Sequence, residues 1–411
     1  MNDRRTRLFK GFAAFCDQAW LSVINFAVAI AFIRGASKEE YALFVLLQAP
    51  LFLFLGLQNA LFLSPQATVL PVRQGSSRDA AKATSILGQC GFALSIAIVG
   101  AIGLFAFISI TGRALDPLVV IGFSLAIVGT LAREGARANQ YLEGRPVAAL
   151  GGDLVYGVLM LLGVLGLAIS GLLTAGAALL ALGAAGLVPL SRHAFSFSSL
   201  KWDRDAWHDF WQCGRWALPS VLVSWLNLNS YPYICAVALG AAAVAEINAA
   251  RLIFMPAVLG ITAWSNLYRP RFSLLLARSQ GQDARRLSVR STAVAEIGLL
   301  AYIGTVYMLY PLIEAAAGPA YAGLQHLALA WGGFFALTFL RSVWMASVMA
   351  DSSGYRQLHH LSWFSLLIVL PALFFLAANG PVWVVGILCA VEMVQAMVVL
   401  RWARNRWSAS G

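Results

Sequence analysis

What this chain can become is limited first by its apolar runs: stretches of about twenty mainly apolar residues recur from one end to the other with short polar breaks between them. A helix rises about 1.5 Å per residue, so about twenty residues match the roughly 30 Å hydrocarbon core of a bilayer. Runs at 11–33, 40–63, 86–108, 118–138, 147–169 and 172–190 make a first set. Runs at 216–239, 244–267, 292–313, 324–349, 361–377 and 382–399 make a second. With 60% hydrophobic residues and 11% charged, against about a quarter charged in soluble domains, a water-facing surface has no material to be built from. The expected fold class is an all-α polytopic membrane protein of twelve transmembrane helices.

The formal charge of +11 would suit nucleic acid in a soluble protein, but here the position of the cations along the chain carries the information. Arg73, Arg78 and Lys82, then Arg133, Arg137 and Arg145, then Arg192, Lys201, Arg204 and Arg215, fall in or near alternate loops. So do the arginines from Arg269 to Arg290, Arg341, Arg356, and those from Arg401 to Arg406. The other loops hold Arg34, Lys38 and Arg113. The positive-inside bias then predicts both termini in the cytoplasm, with 11–33 read as an uncleaved first span rather than a signal peptide. Nucleic acid is not an expected partner. Five scattered cysteines form no Cys-x-x-Cys pair and no cluster with histidine, and no phosphate-loop motif occurs; no catalytic, metal or cofactor site is expected.

The two sets look like editions of one design. Glu246 precedes Pro256 by the interval at which Glu40 precedes Pro50, and both prolines are expected in mid-helix. Ser220, Ser224 and Asn227 form an i, i+4, i+7 stripe matched by Gln18, Ser22 and Asn25. Six helices per half make the repeat parallel, giving two six-helix bundles, and in transporters built of such repeats the substrate path usually lies between them. The expected division is 1–191, a linker at 192–213 and 214–411. In the linker Trp207, Phe210 and Trp211 share a helical face behind Asp203 and Asp205, which predicts an amphipathic helix on the inner membrane surface.

Polar residues inside the spans are the candidate site, because a charge at the bilayer centre costs about 2.5–3.5 kcal/mol on insertion scales. Arg251, on a stripe with Asn248, Met255, Thr262 and Asn266, is the candidate for an anionic group, against pairing with Glu246 or snorkelling to the interface. Asn25, Gln48, Gln58 and Asn59, with Asn227 and Asn229, are candidates for sugar hydroxyls, against simple interhelical hydrogen bonds. Arg133, near the inner end of its helix, is a candidate for meeting a negative substrate on entry. Asp17, Asp153, Glu296 and Glu392 are carboxylates at membrane depth, suited to carrying a proton or pairing with arginine.

Several stretches resemble the Wzx-type lipid-linked oligosaccharide flippases of the multidrug/oligosaccharidyl-lipid/polysaccharide exporter superfamily. They are Lys38-Glu39-Glu40-Tyr41-Ala42-Leu43-Phe44, Arg133-Glu134 through Gly144-Arg145-Pro146, Gly214-Arg215-Trp216-Ala217-Leu218, and Ala249-Ala250-Arg251. Ala42 and Ala245 stand where that family carries glycine, and Ile247 where it carries an aromatic residue. The resemblance implies two six-helix bundles around a central cavity, in a non-enzymatic flippase of the bacterial inner membrane that moves a polyprenyl-diphosphate-linked oligosaccharide between leaflets by alternating access. It also implies a polysaccharide polymerase or glycosyltransferases as partners. A cation-coupled multidrug exporter and a non-transporting scaffold for glycosyltransferases are the alternatives.

Overall fold

The computed structural model describes residues 2–111, 116–192, 201–349 and 352–409. Its elements are helical, with no strand among the described residues. In the first half they are α1 (Asn2–Gly35), α2 (Lys38–Gln58), α3 (Ser64–Val69), α4 (Gly75–Thr111), α5 (Pro117–Leu142), α6 (Pro146–Ile169) and α7 (Ala175–Leu187). Then come α8 (Arg204–Gly214), α9 (Leu218–Ala238), α10 (Ala241–Leu252), α11 (Met255–Ala277), α12 (Gly281–Ala317), α13 (Gln325–Val348), α14 (Ser352–Leu376) and α15 (Pro381–Ala409). Each expected span maps to one of these helices, or to a pair that continues it. Among the described residues nine stretches are long and apolar enough to cross a membrane, and ten if α10 and α11 count as one bent span. The two further candidates are marginal for visible reasons. α7 has 13 residues, and α9 carries Asn227, Asn229, Ser230 and Pro232 within its length.

The chain packs as two compact units, residues 1–225 and 226–411. The division falls inside α9. Residues 193–200 of the expected linker and Arg113 of an expected outer loop lie outside the described residues.

In unit 1 the tightest seam joins α5 to α7, and glycine makes it possible. A Cβ on Gly129 would lie 2.2 Å from the Gly183 carbonyl oxygen, and one on Gly183 would lie 2.4 Å from the Leu125 carbonyl carbon. Gly122 meets Gly176 one heptad earlier in the same way, at 2.3 Å. Small residues at such intervals let backbones touch, which matters in lipid, where burying a large apolar side chain gains little over leaving it among the tails. The Lys38–Phe44 stretch closes the other end of this seam. Glu40 accepts a hydrogen bond from the Ala175 amide at 2.6 Å, capping α7, while Tyr41 and Phe44 stack on Phe32 of α1.

The span that begins with α2 runs to Val72 and is not uniform. Pro50 sits inside α2, as expected. Beyond Gln58 the chain widens into a π-helical turn, Asn59–Leu63, before α3. There Gly214, at the end of α8, comes so close that a Cβ would lie 2.4 Å from the Ala60 carbonyl oxygen. The linker helix α8 is capped by Asp203, whose carboxylate accepts from the Asp205 and Ala206 amides. Part of its apolar face packs on protein, Phe210 and Ala206 being fully buried with Val69, Leu70 and Ala81, while Trp211 stays 40% exposed. Arg73 ties it down through Asp209 at 2.7 Å and Asp203 at 3.6 Å.

In unit 2 the partner seam joins α13 to α15, with Val343, Ala346, Val399, Ala403 and Trp407 buried together. The other proline expectation is overturned here. Pro256 is not in mid-helix; it stands in the first turn of α11, after a break at Ile253 and Phe254 that bends the path by 52°. Proline is tolerated in a first turn because its missing N–H has no partner to lose there. The Ile253 carbonyl freed by the break is taken up by the Tyr302 hydroxyl, which donates to it at 2.6 Å.

Candidate functional site

Each unit holds a cluster of charged and polar groups within its candidate spans. In unit 1 it forms where α1, α5 and α6 meet. The i, i+4 spacing of Arg133 and Arg137 puts both guanidinium groups on one face of α5. Asp17 of α1 is fully buried, and Asp153 of α6 nearly so. Arg137 donates to Asp17 through Nη2 at 2.8 Å and Nε at 3.0 Å, and lies 3.0 Å from Asp153. Arg133 donates to Asp153 at 2.8 Å and rests on the Tyr156 ring, 4.2 Å from its centroid. Glu134 accepts from Arg137 at 3.0 Å, and the Tyr141 hydroxyl donates to Asp17 at 2.7 Å. The Asp17 Oδ1 atom is buried with no hydrogen-bond partner among the described residues. Three carboxylates therefore face two guanidiniums.

A second buried network lies on another face of the same stretch of α5, at Leu131, Gly135 and Asn139. Gln58 donates to Gln89 at 3.1 Å and to the Leu131 carbonyl at 2.8 Å. Gln89 reaches Ser85, Ser85 donates to Gln66, and Gln66 donates to Asn139. Gly135 leaves the room: a Cβ there would fall 2.2 Å from the Gln89 amide oxygen.

In unit 2 the cluster surrounds Arg251, in the last turn of α10 just before the break. A cation is favoured there by the partial negative charge of the helix C-terminus. Its Nη1 donates to the Tyr231 hydroxyl at 3.3 Å, and Tyr231 donates to Asn248 at 3.2 Å. The guanidinium carbon stands 5.5 Å from the Trp331 ring centroid, and Trp331 is itself fixed by donating to the Ile247 carbonyl at 3.0 Å. No ion pair joins Arg251 to a carboxylate among the described residues, Glu246 included, and its buried Nε has no hydrogen-bond partner there. Arg341 of α13, by contrast, is answered by Glu392 at 2.7 Å.

The sequence candidates thus divide. Arg251 stands in a cluster with open donor capacity, whereas Arg133 is committed to Asp153 and Gln58 is 1% exposed with its amide group turned into unit 1. Asn25 and Asn59 are exposed and Gln48 is half-buried; Asn59 also accepts from Ser64 at 3.1 Å. Asn227 and Asn229 are half-buried on α9, and Asn227 donates to the Ser362 carbonyl at 3.0 Å. The stripe drawn from Asn248 through Arg251 to Thr262 is cut by the break, and the side chain of Asn266 lies outside the described residues. Tyr231 and Trp331 were not among the candidates. Tyr231 could have been found, since it extends the Ser220, Ser224, Asn227 stripe by one more i+4 step.

No family model matches the chain, and no curated protein sequence matches it. Solved structures do. A multidrug resistance MATE family transporter of the MOP superfamily, in an inward-facing conformation, aligns at a TM-score of 0.77 and 16% identity, covering 95% of each chain. The fold is that of the MATE transporters. An outward-facing MATE structure aligns at 0.63 and 15% identity over 97% of this chain and 94% of that one. A MOP superfamily transporter from Pyrococcus furiosus, described as having a binding pocket of reverse polarity that suggests a different function, aligns at 0.63 and 15% identity with the same coverage. MATE neighbours are built of twelve helices in two repeated bundles, which agrees with the fold class expected from the apolar runs.

Proposed function

We propose that the chain is a transporter of the bacterial inner membrane that flips a polyprenyl-diphosphate-linked oligosaccharide outward for surface polysaccharide assembly, with Arg251 as its anion contact. The observation that carries this reading is the state of Arg251. It is a guanidinium at membrane depth without a carboxylate partner among the described residues, oriented by Tyr231 and Trp331. A charge kept there without neutralisation is costly unless a ligand supplies the counter-charge. The break adds to this: α11 begins three residues after α10 ends, and the positive end of a broken helix is a common place for an anionic group. Exposed Asn25 and Asn59 and half-buried Gln48 and Asn229 have amide groups suited to sugar hydroxyls.

A second reading, a cation-coupled drug exporter, draws on the surplus carboxylate of the Asp17, Glu134, Asp153 cluster and on the multidrug transporters of the same fold. Two arginines in contact with those acids make them a poor receptor for a cationic drug, which favours the first reading.

The deciding experiment is lipid extraction from cells lacking the protein, with mass spectrometry of polyprenyl-linked glycans and a test of the leaflet that holds them. Inner-leaflet accumulation, relieved by the wild-type chain and not by an equally expressed R251A variant, is the expected result. Unchanged lipids with raised retention of cationic drugs would transfer the protein to the exporter reading.

A further inference from the structure

Unit 2 has a hollow that the transport reading does not account for. Where α12 begins and α15 ends, a cavity of about 360 Å³ is lined by Gly281, Gln282, Arg285, Arg404, Trp407 and Ser408. That volume is at the lower end of the roughly 300–1,000 Å³ common for small-molecule sites. Its floor is firm. Trp407 is 6% exposed, donates its indole N–H to Ser347 at 3.1 Å, and packs in the same buried cluster as Ala284 and Ala403. Residues 284 and 403 directly precede the two arginines, so both side chains spring from backbone that is held in place.

The charge is one-sided. Arg285 and Arg404 are exposed, and neither makes an ion pair among the described residues. The acid nearest in sequence, Asp283, is taken by Arg286 at 3.7 Å. Two guanidiniums from different helices therefore border one hollow with no carboxylate between them, an arrangement that favours a bound anion over an empty site. Guanidinium forks match phosphate oxygens in pairs. The position selects phosphate among anions. At about 1.5 Å per residue the 37 residues of α12 reach roughly 55 Å, beyond the roughly 40–45 Å of a bilayer with its headgroups. The arginine end thus stands at or past the layer where lipid phosphates are concentrated.

We propose that this hollow binds a phosphate-bearing anion between Arg285 and Arg404, supplied by an anionic phospholipid headgroup or by a soluble phosphate compound. The site is independent of Arg251 and of what the chain transports.

The test uses the full-length protein purified in detergent, with wild type, the R285Q/R404Q double variant and R286Q compared. Both target side chains are exposed, so the double variant is expected to fold, which a monodisperse elution profile checks. In one arm, native mass spectrometry measures retention of phosphatidylglycerol against phosphatidylcholine. In the other, calorimetry measures binding of inorganic pyrophosphate against citrate. At least a tenfold loss of phosphatidylglycerol retention in the double variant alone assigns the site to lipid; the same loss for pyrophosphate alone assigns it to a soluble phosphate. Equal binding by wild type and double variant in both arms overturns the proposal. So does a loss as large in R286Q, which would mean diffuse charge, and so does citrate binding as tightly as pyrophosphate.

Discussion

Arg137 is the residue on which unit 1 depends most, because it is the one group that touches all three carboxylates of the cluster. Replacing it by leucine leaves Asp17, fully buried, without an ion pair among the described residues, and Asp153, 2% exposed, with Arg133 alone among them. Breaking a buried ion pair from one side costs about 3–5 kcal/mol, since the other charge stays desolvated. R137L is expected to lower the thermal unfolding midpoint in detergent sharply, and E134Q, which removes the surplus and partly exposed carboxylate, to lower it little. If the two variants melt alike, the cluster is not the ion-paired unit described. Such partnerships were only half legible in the sequence. Asp17, Asp153 and Glu392 stood out because a charge in an apolar run is conspicuous, but Asp17 and Arg137 are 120 residues apart. No local pattern says which helix faces which. The same holds for Gln58: its polarity was plain, and its inward direction was set by Gln89 and the Leu131 carbonyl, on other helices.

At the scale of elements, the helices were legible because bilayer thickness imposes a length that a run of apolar residues reveals directly. Irregularities were partly legible. Pro256 removes the hydrogen bond to the Leu252 carbonyl, and the path bends by 52° just before it, with Tyr302 taking up the Ile253 carbonyl; the π turn at Asn59–Leu63, against which Gly214 packs closely, carries no such signal. The face of α8 was legible from Trp207 and Phe210, whereas its docking on Val69 and Leu70 depended on tertiary contacts. The α5–α7 seam lends itself to a sharp test. A valine at Gly183 would drive its Cβ into the Leu125 backbone, where no side chain can move aside. Overpacking usually costs about 1–3 kcal/mol, and a clash with backbone should reach the upper end or beyond. A valine at Gly166, where a Cβ meets nothing within 4 Å, is the control. G183V is expected to give little monodisperse protein on fluorescence-detected gel filtration and G166V wild-type amounts; equal yields would mean that the two helices are not held in backbone contact.

For the whole molecule, the parallel repeat makes a demand that single helices do not. The two halves enter the bilayer in the same direction only if an even number of spans separates equivalent points, and that parity rests on the segments least like ordinary spans. These are short α7, polar α9 and the bent pair α10 and α11. Each is a weak candidate alone, yet losing any one would invert everything after it and place the basic residues from Arg278 to Arg290 outside, against the positive-inside bias. Single cysteines in a background with the five native ones replaced can count the crossings. Positions 170 and 242 bracket α7 and α9, 242, in the first turn of α10, and 279 mark the two ends of the bent pair, and 279 and 322 bracket α12. In intact cells a membrane-impermeant maleimide is expected to label S170C, A242C and A322C, and to reach S279C and S76C only after the membrane is opened. Labelling of 170 and 242 on opposite sides would mean that just one of α7 and α9 crosses. Labelling of 242 and 279 on the same side would make the bent pair re-entrant, putting Arg251 in a loop that dips into the bilayer rather than in a span, so the same five cysteines that count the helices also test where the anion contact stands.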